Sequence, residues 1–391
     1  MENKAKTQLG RGLLCAITVA VALGIQPFIT LGSGQKPATQ SGRPQRGYTY
    51  HHDEKPDMPL SIHVLKVDRT RSELEFHTTM GGGSHLLGMG LVSDQIKAIP
   101  SSMGRPIAGI NGDFYKSHRS YPGDPEGLQI VDGEVVSAPN ETRVCFFIDP
   151  EGAPHRMAVT NQFHVTWPNG STTRFGLNEE RADDAVVLYT AANGPSTRTS
   201  GGVEIILEST GTEQWLPLQI QETYSGKVKQ INDSGNSPLS SNTMVLSIGS
   251  DLAAKLPKVT PGTILKVALD TVPALKGVKT ALGGGPSLIA EGKVRTFTGS
   301  QPRHPRTAIG WNDDYVFLVV VDGRQRNLSV GMSLPELADY FSKLGCTEAM
   351  NLDGGGSTTF WIYGNVVNSP SEGKERPAAN ALVVLQHEKP D

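Results

Sequence analysis

Asn351-Leu-Asp-Gly-Gly-Gly-Ser-Thr-Thr-Phe360 places an amide and a carboxylate directly before three glycines and two hydroxyls directly after them. Glycine accepts φ > 0 and lets a ligand come close to the main chain. Successive free N–H groups in such a turn form a concave anion site. The segment therefore offers Asn351, Asp353, Ser357 and the backbone of Gly354, Gly355 and Gly356 to one ligand. A plain turn after a buried strand seldom carries this much polar chemistry around three glycines.

Reading outward from it, Ala349 to Leu352 is a short apolar strand. Before it, Ser333-Leu-Pro-Glu336 is a capping box with proline in the first turn, where its missing N–H is tolerated. Leu337, Tyr340, Phe341 and Leu344 then share one helical face, and Gly345 ends the helix. Tyr315 to Val321 is a strongly β run that closes on Asp322-Gly323. Strand, helix, strand in this order implies a parallel pair with a right-handed crossover. Asp322 and Asn351-Leu-Asp353 then lie on one sheet edge, where open α/β sheets bind ligands. Thr307 to Trp311, joined through Asn312-Asp-Asp314, makes a hairpin with 315–321. The start of that strand, with His304, Arg306 and Thr307, falls beside Asp322.

The first half repeats the plan. A strand over 74–78, a helix over about 90–99 ending at Pro100, and a small apolar strand over 106–110 lead into Asn111-Gly-Asp113. The same Asn-x-Asp stands at 351–353, which points to an internal duplication with both acidic ends on one cleft; Asn, Gly and Asp also favour any strand end. Ala281-Leu-Gly-Gly-Gly-Pro-Ser-Leu288 is a second glycine loop before a hairpin turning at Glu291-Gly292; Gly284 and Gly285 either donate N–H groups to a ligand or only turn the chain. A similar hairpin spans 127–136. From about 160 to 275 strands alternate with turns, including 184–189, 203–207, 243–248 and 264–269, without a sharp chemical motif. These patterns give an α+β fold: a strand-rich mixed sheet with a few crossover helices.

With 37% hydrophobic and 19% charged residues the chain is globular, and a net charge of -3 supplies no basic field to hold nucleic acid. Lys4, Lys6 and Arg11 precede an uncharged apolar run from Leu13 to Ile25, the pattern of an export signal or, extended to Leu31, of an anchor. Residues 1–31 are read as that signal or membrane tether, 32–58 as a flexible linker rich in Gly, Pro, Gln and Ser, and 59–388 as the folded domain. The protein is then secreted, periplasmic or held in the cell envelope. Cys145 and Cys346 read as two buried thiols, although export would permit a disulfide between them.

As an ordered set, Asn111-Gly-Asp-Phe-Tyr115, Gly283-Gly-Gly-Pro-Ser287, Arg303-His-Pro-Arg-Thr-Ala-Ile-Gly310, Val320-Val-Asp-Gly-Arg-Gln325 with Ser329-Val-Gly-Met-Ser-Leu-Pro-Glu-Leu337, Asn351-Leu-Asp-Gly-Gly-Gly-Ser357 and Glu375-Arg-Pro-Ala-Ala-Asn380 resemble the phosphodiester glycosidase family. The resemblance covers about 60–386. It implies hydrolysis of the C1–O bond of a sugar 1-phosphodiester within a glycan or polysaccharide, with no cofactor. A phosphate leaving group, with a second pKa near 6, departs without much protonation, so a strong general acid is less needed than in glycosidases that use two carboxylates. Asp353 is expected as the essential carboxylate, acting as nucleophile or as base toward water. Asp113 and Asp322 are expected as a second carboxylate or as ligands of sugar hydroxyls. Asn111 and Asn351 would orient substrate or carboxylates, His304 and Arg306 would hold phosphate with Thr307 beside them, and Arg376 is a candidate second phosphate ligand. Two other readings remain open on the residues alone. One is a phosphodiesterase that uses the Asn-x-Asp pairs and Asp322 to bind Ca²⁺ or Mg²⁺; the other is a non-catalytic glycan-binding protein of the envelope.

Overall fold

The computed structural model describes residues 46–55, 58–83, 85–117, 120–211 and 215–388. The expected export signal and most of the expected linker lie outside the described residues. The end of that linker is not loose: Tyr48–Lys55 forms strand β1, paired antiparallel along its whole length with β2 (Leu60–Asp68).

Two mixed-burial sheets stack face to face. The first contains β1, β2, β5 (Ser287–Ala290), β6 (Lys293–Val294), β7 (Arg306–Trp311), β8 (Tyr315–Val321) and β9 (Glu348–Asn351), in the spatial order β1-β2-β8-β7-β9-β5-β6. The second contains β3 (Leu74–Thr78), β4 (Arg105–Asn111), β10 (Phe360–Ile362), β11 (Asn365–Val366) and β12 (Ala381–Gln386), in the order β11-β10-β4-β12-β3. Helix α2 (Leu334–Lys343) covers the outer face of the first sheet, and helix α1 (Val92–Lys97) that of the second.

Side-chain alternation explains the four layers. Along β8, Val316, Leu318 and Val320 enter the core between the sheets, whereas Phe317, Val319 and Val321 face α2. Along β12, Leu382 and Val384 point inward and Ala381, Val383 and Leu385 face α1. A strand buried on both faces reads as an unbroken apolar run, and each fully buried Val or Leu contributes about 1.5–3 kcal/mol. The capping box forms as read: the Ser333 hydroxyl accepts from the Glu336 N–H, and Glu336 accepts from the Ser333 N–H at 2.9 Å.

One topological expectation needs correction. Strands 315–321 and 348–351 do run parallel, but they are not neighbours; β7 lies between them, antiparallel to both. The two carboxyl ends still share an edge. The first half is built in the same way, with β12 inserted between the parallel strands β3 and β4. The likeness extends further. The five-strand array β8-β7-β9-β5-β6 matches β3-β12-β4-β10-β11 strand for strand, each with a helix between its parallel pair. The first array is continuous in the chain. The second takes β10, β11 and β12 from late in the chain and is completed by β3, α1 and β4 from much earlier in it. Gly283–Gly285 and Gly354–Gly356 stand at corresponding places, each just before a hairpin.

The middle of the chain forms a five-stranded sheet that includes Gln129–Val131, Val144–Ile148 and Thr280–Gly284, and an eight-stranded antiparallel sheet over 160–272 with one parallel edge strand. They share a core around Phe163, Leu246 and Val267. Cys145 and Cys346 are free and buried, as expected, with both thiols pushed up to about 12 by burial.

Candidate functional site

The carboxyl ends of β4 and β9 meet. The Asp353 N–H donates to the Gly112 carbonyl at 2.9 Å, and Asn111 Nδ2 donates to the Asp353 carbonyl at 2.6 Å. Asn111 Oδ1 accepts from the Thr307 hydroxyl at 2.6 Å and from the Thr359 N–H at 3.1 Å. Asn111 and Thr307 are wholly buried, so they position the Asp353 backbone and do not face a substrate. Asn351 does the same for the other glycine loop. Its Nδ2 donates to the Gly285 carbonyl at 3.0 Å, and the Gly285 N–H donates to the Asn351 carbonyl at 2.7 Å. The Gly285 N–H is thereby spent on Asn351, and Gly284 is packed against the apolar side chains of Met350 and Leu352.

Asp353 is only part-buried. Burial raises its carboxyl above the ordinary range and the charge of Glu126 adds to this; the Ser357 hydroxyl, the Gly354 N–H at 2.8 Å and the charge of Arg376 oppose the rise. The Arg376 guanidinium donates to Ser357 Oγ at 2.7 Å, so carboxylate, hydroxyl and guanidinium form one chain. The glycines between them are needed for space. A side chain on Gly356 would meet the Glu372 carboxylate and Arg376 Nη1, which pair with each other at 3.6 Å, and one on Gly355, whose φ is +62°, would meet Arg324 Nη2 at 3.0 Å. The expectation that these N–H groups all face a ligand is corrected at two positions: Gly354 donates to Asp353 and Gly355 to the Pro305 carbonyl at 3.0 Å.

The cations gather on the same edge. Burial, then the charges of Arg306 and Arg324, hold His304 below its usual range, leaving it neutral at pH 7. Arg306 spends Nε on the Met332 carbonyl at 2.9 Å and Nη2 on that of Pro302 at 3.1 Å, so it is not free to present the expected two-pronged fork. Arg324 is exposed, held at φ +59°, and its guanidinium lies over Gly355.

Asp322 is 1% exposed and saturated. It accepts from Ser61 Oγ at 2.6 Å, His63 Nε2 at 3.1 Å, Asn368 Nδ2 at 3.2 Å and the Ser369 N–H at 2.8 Å. Neither this carboxylate nor Asn111 keeps the open oxygens that cation ligation would require, and among the described residues no three His, Cys, Asp or Glu side chains converge on a metal-sized point. Asp113 is likewise enclosed. Its Oδ1 accepts from the Phe114 N–H at 2.8 Å and from Arg143 Nη2 at 3.1 Å, and Oδ2 is wedged against Gly127 and Gly283. Burial pushes its carboxyl up to about 7 against the pull of Arg143. A methyl group on Gly283 would collide with that pinned carboxyl and reach within 2.8 Å of Gly127 Cα. Gly283→Ala is expected to destabilise the protein by about 1–3 kcal/mol through overpacking, read as a lowered denaturant midpoint at unchanged slope.

Residues 222–385 match the sequence profile of the phosphodiester glycosidase family. Over that stretch the chain is similar to a phosphodiester glycosidase domain. An SPbeta prophage-derived uncharacterized protein of Bacillus subtilis (strain 168), YomE, is 32% identical over 115 residues, 28% of this chain; the chain spans 18% of that relative's length. A hypothetical protein from Synechocystis has the same fold, with a TM-score of 0.68 and 19% identity over 88% of this chain and 62% of that one. So does a protein of Burkholderia pseudomallei K96243 whose name suggests export, with a TM-score of 0.64 and 22% identity over 84% of this chain and 74% of that one. No helix among the described residues is long and apolar enough to cross a membrane.

The profile match takes in Asp322, Asp353 and the cations of the site, whereas Asn111 and Asp113 lie before it. Three residues of the site escape sequence reading. Arg324 directly follows the Asp322-Gly323 turn, and only its left-handed backbone brings it over Gly355. Glu126 and Arg143 sit in loops without a motif; Arg143 Nη1 donates to Glu126 at 2.6 Å while Nη2 reaches Asp113. Glu126 is thus the less enclosed carboxylate near Asp353, with its side chain 39% exposed.

Proposed function

We propose that the protein is an exported hydrolase that cleaves the C1–O bond of a sugar 1-phosphodiester, of the N-acetylhexosamine-1-phosphate type, on a glycan or envelope polysaccharide. The observation that carries this reading is the pairing of a part-buried carboxylate of raised pKa, Asp353, with guanidiniums on both sides of Gly354–Gly356: Arg324 over Gly355 and Arg376 over Gly356. The phosphodiester sits between the two guanidiniums, which match phosphate oxygens as planar forks. The sugar C1 then faces Asp353, which attacks it directly or through water. Glu126 is the second carboxylate, held by Arg143, which Asp113 fixes in turn. Asp322, Asn111 and Asn351 hold the strand ends in register. Neutral His304 donates a hydrogen bond to a phosphate oxygen without adding charge.

The test is turnover of a UDP-sugar or a methyl phosphodiester of a sugar in ¹⁸O-labelled water. The label is expected in the sugar C1 hydroxyl; label in the phosphate would mean P–O cleavage and would overturn the reading. Arg324→Ala is expected to lower kcat/KM by about 10- to 100-fold, the loss of one charge-assisted contact, with folding unchanged because the side chain is exposed.

A further inference from the structure

Two hollows run in tandem away from the glycine loop that Asn351 fixes. The nearer, of about 560 Å³, is lined by Phe114, Arg143, Gly284, Gly285, Arg295 and Phe297 among others. The farther, of about 610 Å³, continues past His155, Arg156 and Glu348. They share Val144, Ser287 and Arg295 as a common wall. Each alone has the size of a site for one small molecule, about 300–1,000 Å³. A substrate with one sugar and one phosphate occupies only the catalytic edge and leaves this groove unused.

The charges in the groove are unevenly committed. Arg143 is paired with Asp113 and Glu126, and Arg156 with Glu348 at 2.8 Å and with Ser287 Oγ at 2.9 Å. Arg295 is exposed on the shared wall and, among the described residues, has no ion-pair partner. Glu291 is the acid that faces the farther hollow uncommitted to an ion pair. A free guanidinium midway along a groove whose near end holds Arg143, the partner of Glu126, suits a ligand carrying a second phosphodiester one repeat away.

We propose that the protein acts on internal linkages of a polymer in which sugars and phosphodiesters alternate, and that this groove binds the adjoining repeat with Arg295 on its phosphodiester. The proposal rests on the phosphodiester-hydrolase reading and names the substrate class of that same site. Arg295 is a specificity residue, remote from the reacting atoms.

The experiment compares two defined probes, a methyl phosphodiester of one sugar and an oligomer of three sugar-phosphate repeats. The oligomer is expected to have a kcat/KM at least about 10-fold higher, about 1.4 kcal/mol. Arg295→Ala is expected to erase most of that ratio, and Arg295→Lys to restore part of it. Raising salt should shrink the ratio as screening sets in. Equal kcat/KM on both probes, or an unchanged ratio in Arg295→Ala, overturns the proposal. If neither probe is turned over, the hydrolase reading fails by itself, and the groove is judged by calorimetric binding. Oligomer bound about 10-fold more tightly than the single unit, with that advantage lost in Arg295→Ala, supports it; equal binding refutes it.

Discussion

Asp353→Asn is expected to lower kcat by at least about 100-fold, the usual loss when a positioned acid–base group is removed, while the protein stays folded. The substitution keeps the size of the side chain and removes a charge that burial disfavours. The Asp353 backbone stays held by Gly112 and Asn111. Its neighbours Ser357 and Arg376 remain bonded to each other. A loss of activity in a protein with an unchanged unfolding curve therefore reports chemistry, not architecture. The pH profile adds a second readout. The wild-type carboxyl is raised from its ordinary value, so kcat/KM should climb with pH along an acid limb displaced upward from the usual range near 3.9. That limb should be missing from the residual activity of the variant. Wild-type turnover by Asp353→Asn would remove this carboxylate from the mechanism and leave Glu126 as the remaining candidate.

Much of the first sheet and its helix was legible in the chain because the local signals agree with one another. The capping box at Ser333, the apolar face of Leu337 and Phe341, and the hairpin at Asn312 all point to the same arrangement. The meeting of 305–307 with 351–353 also follows from strand direction, whereas 111–113, in the other sheet, joins them in the sequence only through the repeated Asn-x-Asp. The identity of each strand's neighbour does not. The insertion of β12 between β3 and β4 joins segments more than 250 residues apart, and periodicity carries no information about such distant partners. The enclosure of Asp322 and Asp113 is hidden from the sequence for a related reason. A carboxylate after a strand looks the same in sequence whether it faces solvent or is closed in. Asp322 is closed in by Ser61, His63, Asn368 and Ser369, and none of these lies in the motif that holds it. The guanidiniums shifted likewise. Arg306 turned to backbone carbonyls, and Arg324 took the place over the glycines because a left-handed residue put it there.

Asp113→Asn is expected to change markedly how stability depends on pH. In the unfolded chain this carboxyl titrates near 3.9; in the folded protein burial pushes it up to about 7. Between those values the native state keeps a proton that the unfolded state has released. Stability therefore falls as pH rises through this window, and the loss is complete above the folded value. Three units correspond to a span on the order of 4 kcal/mol. Asparagine is neutral at every pH and nearly isosteric, so it removes that slope. Near pH 4 the variant should match or fall below the wild type, because the amide replaces an acid that is already neutral there and weakens the contact with Arg143. By pH 8 it should be the more stable protein, with Arg143 still paired to Glu126. Urea unfolding at pH 4, 6 and 8 gives the comparison directly. Stability curves that run parallel across that range would show that Asp113 is already ionised in the native protein and that Arg143 outweighs burial. In that case the Asp113–Arg143–Glu126 group would be a charged ion-pair network at working pH, and Glu126 would face Asp353 beside a second negative charge.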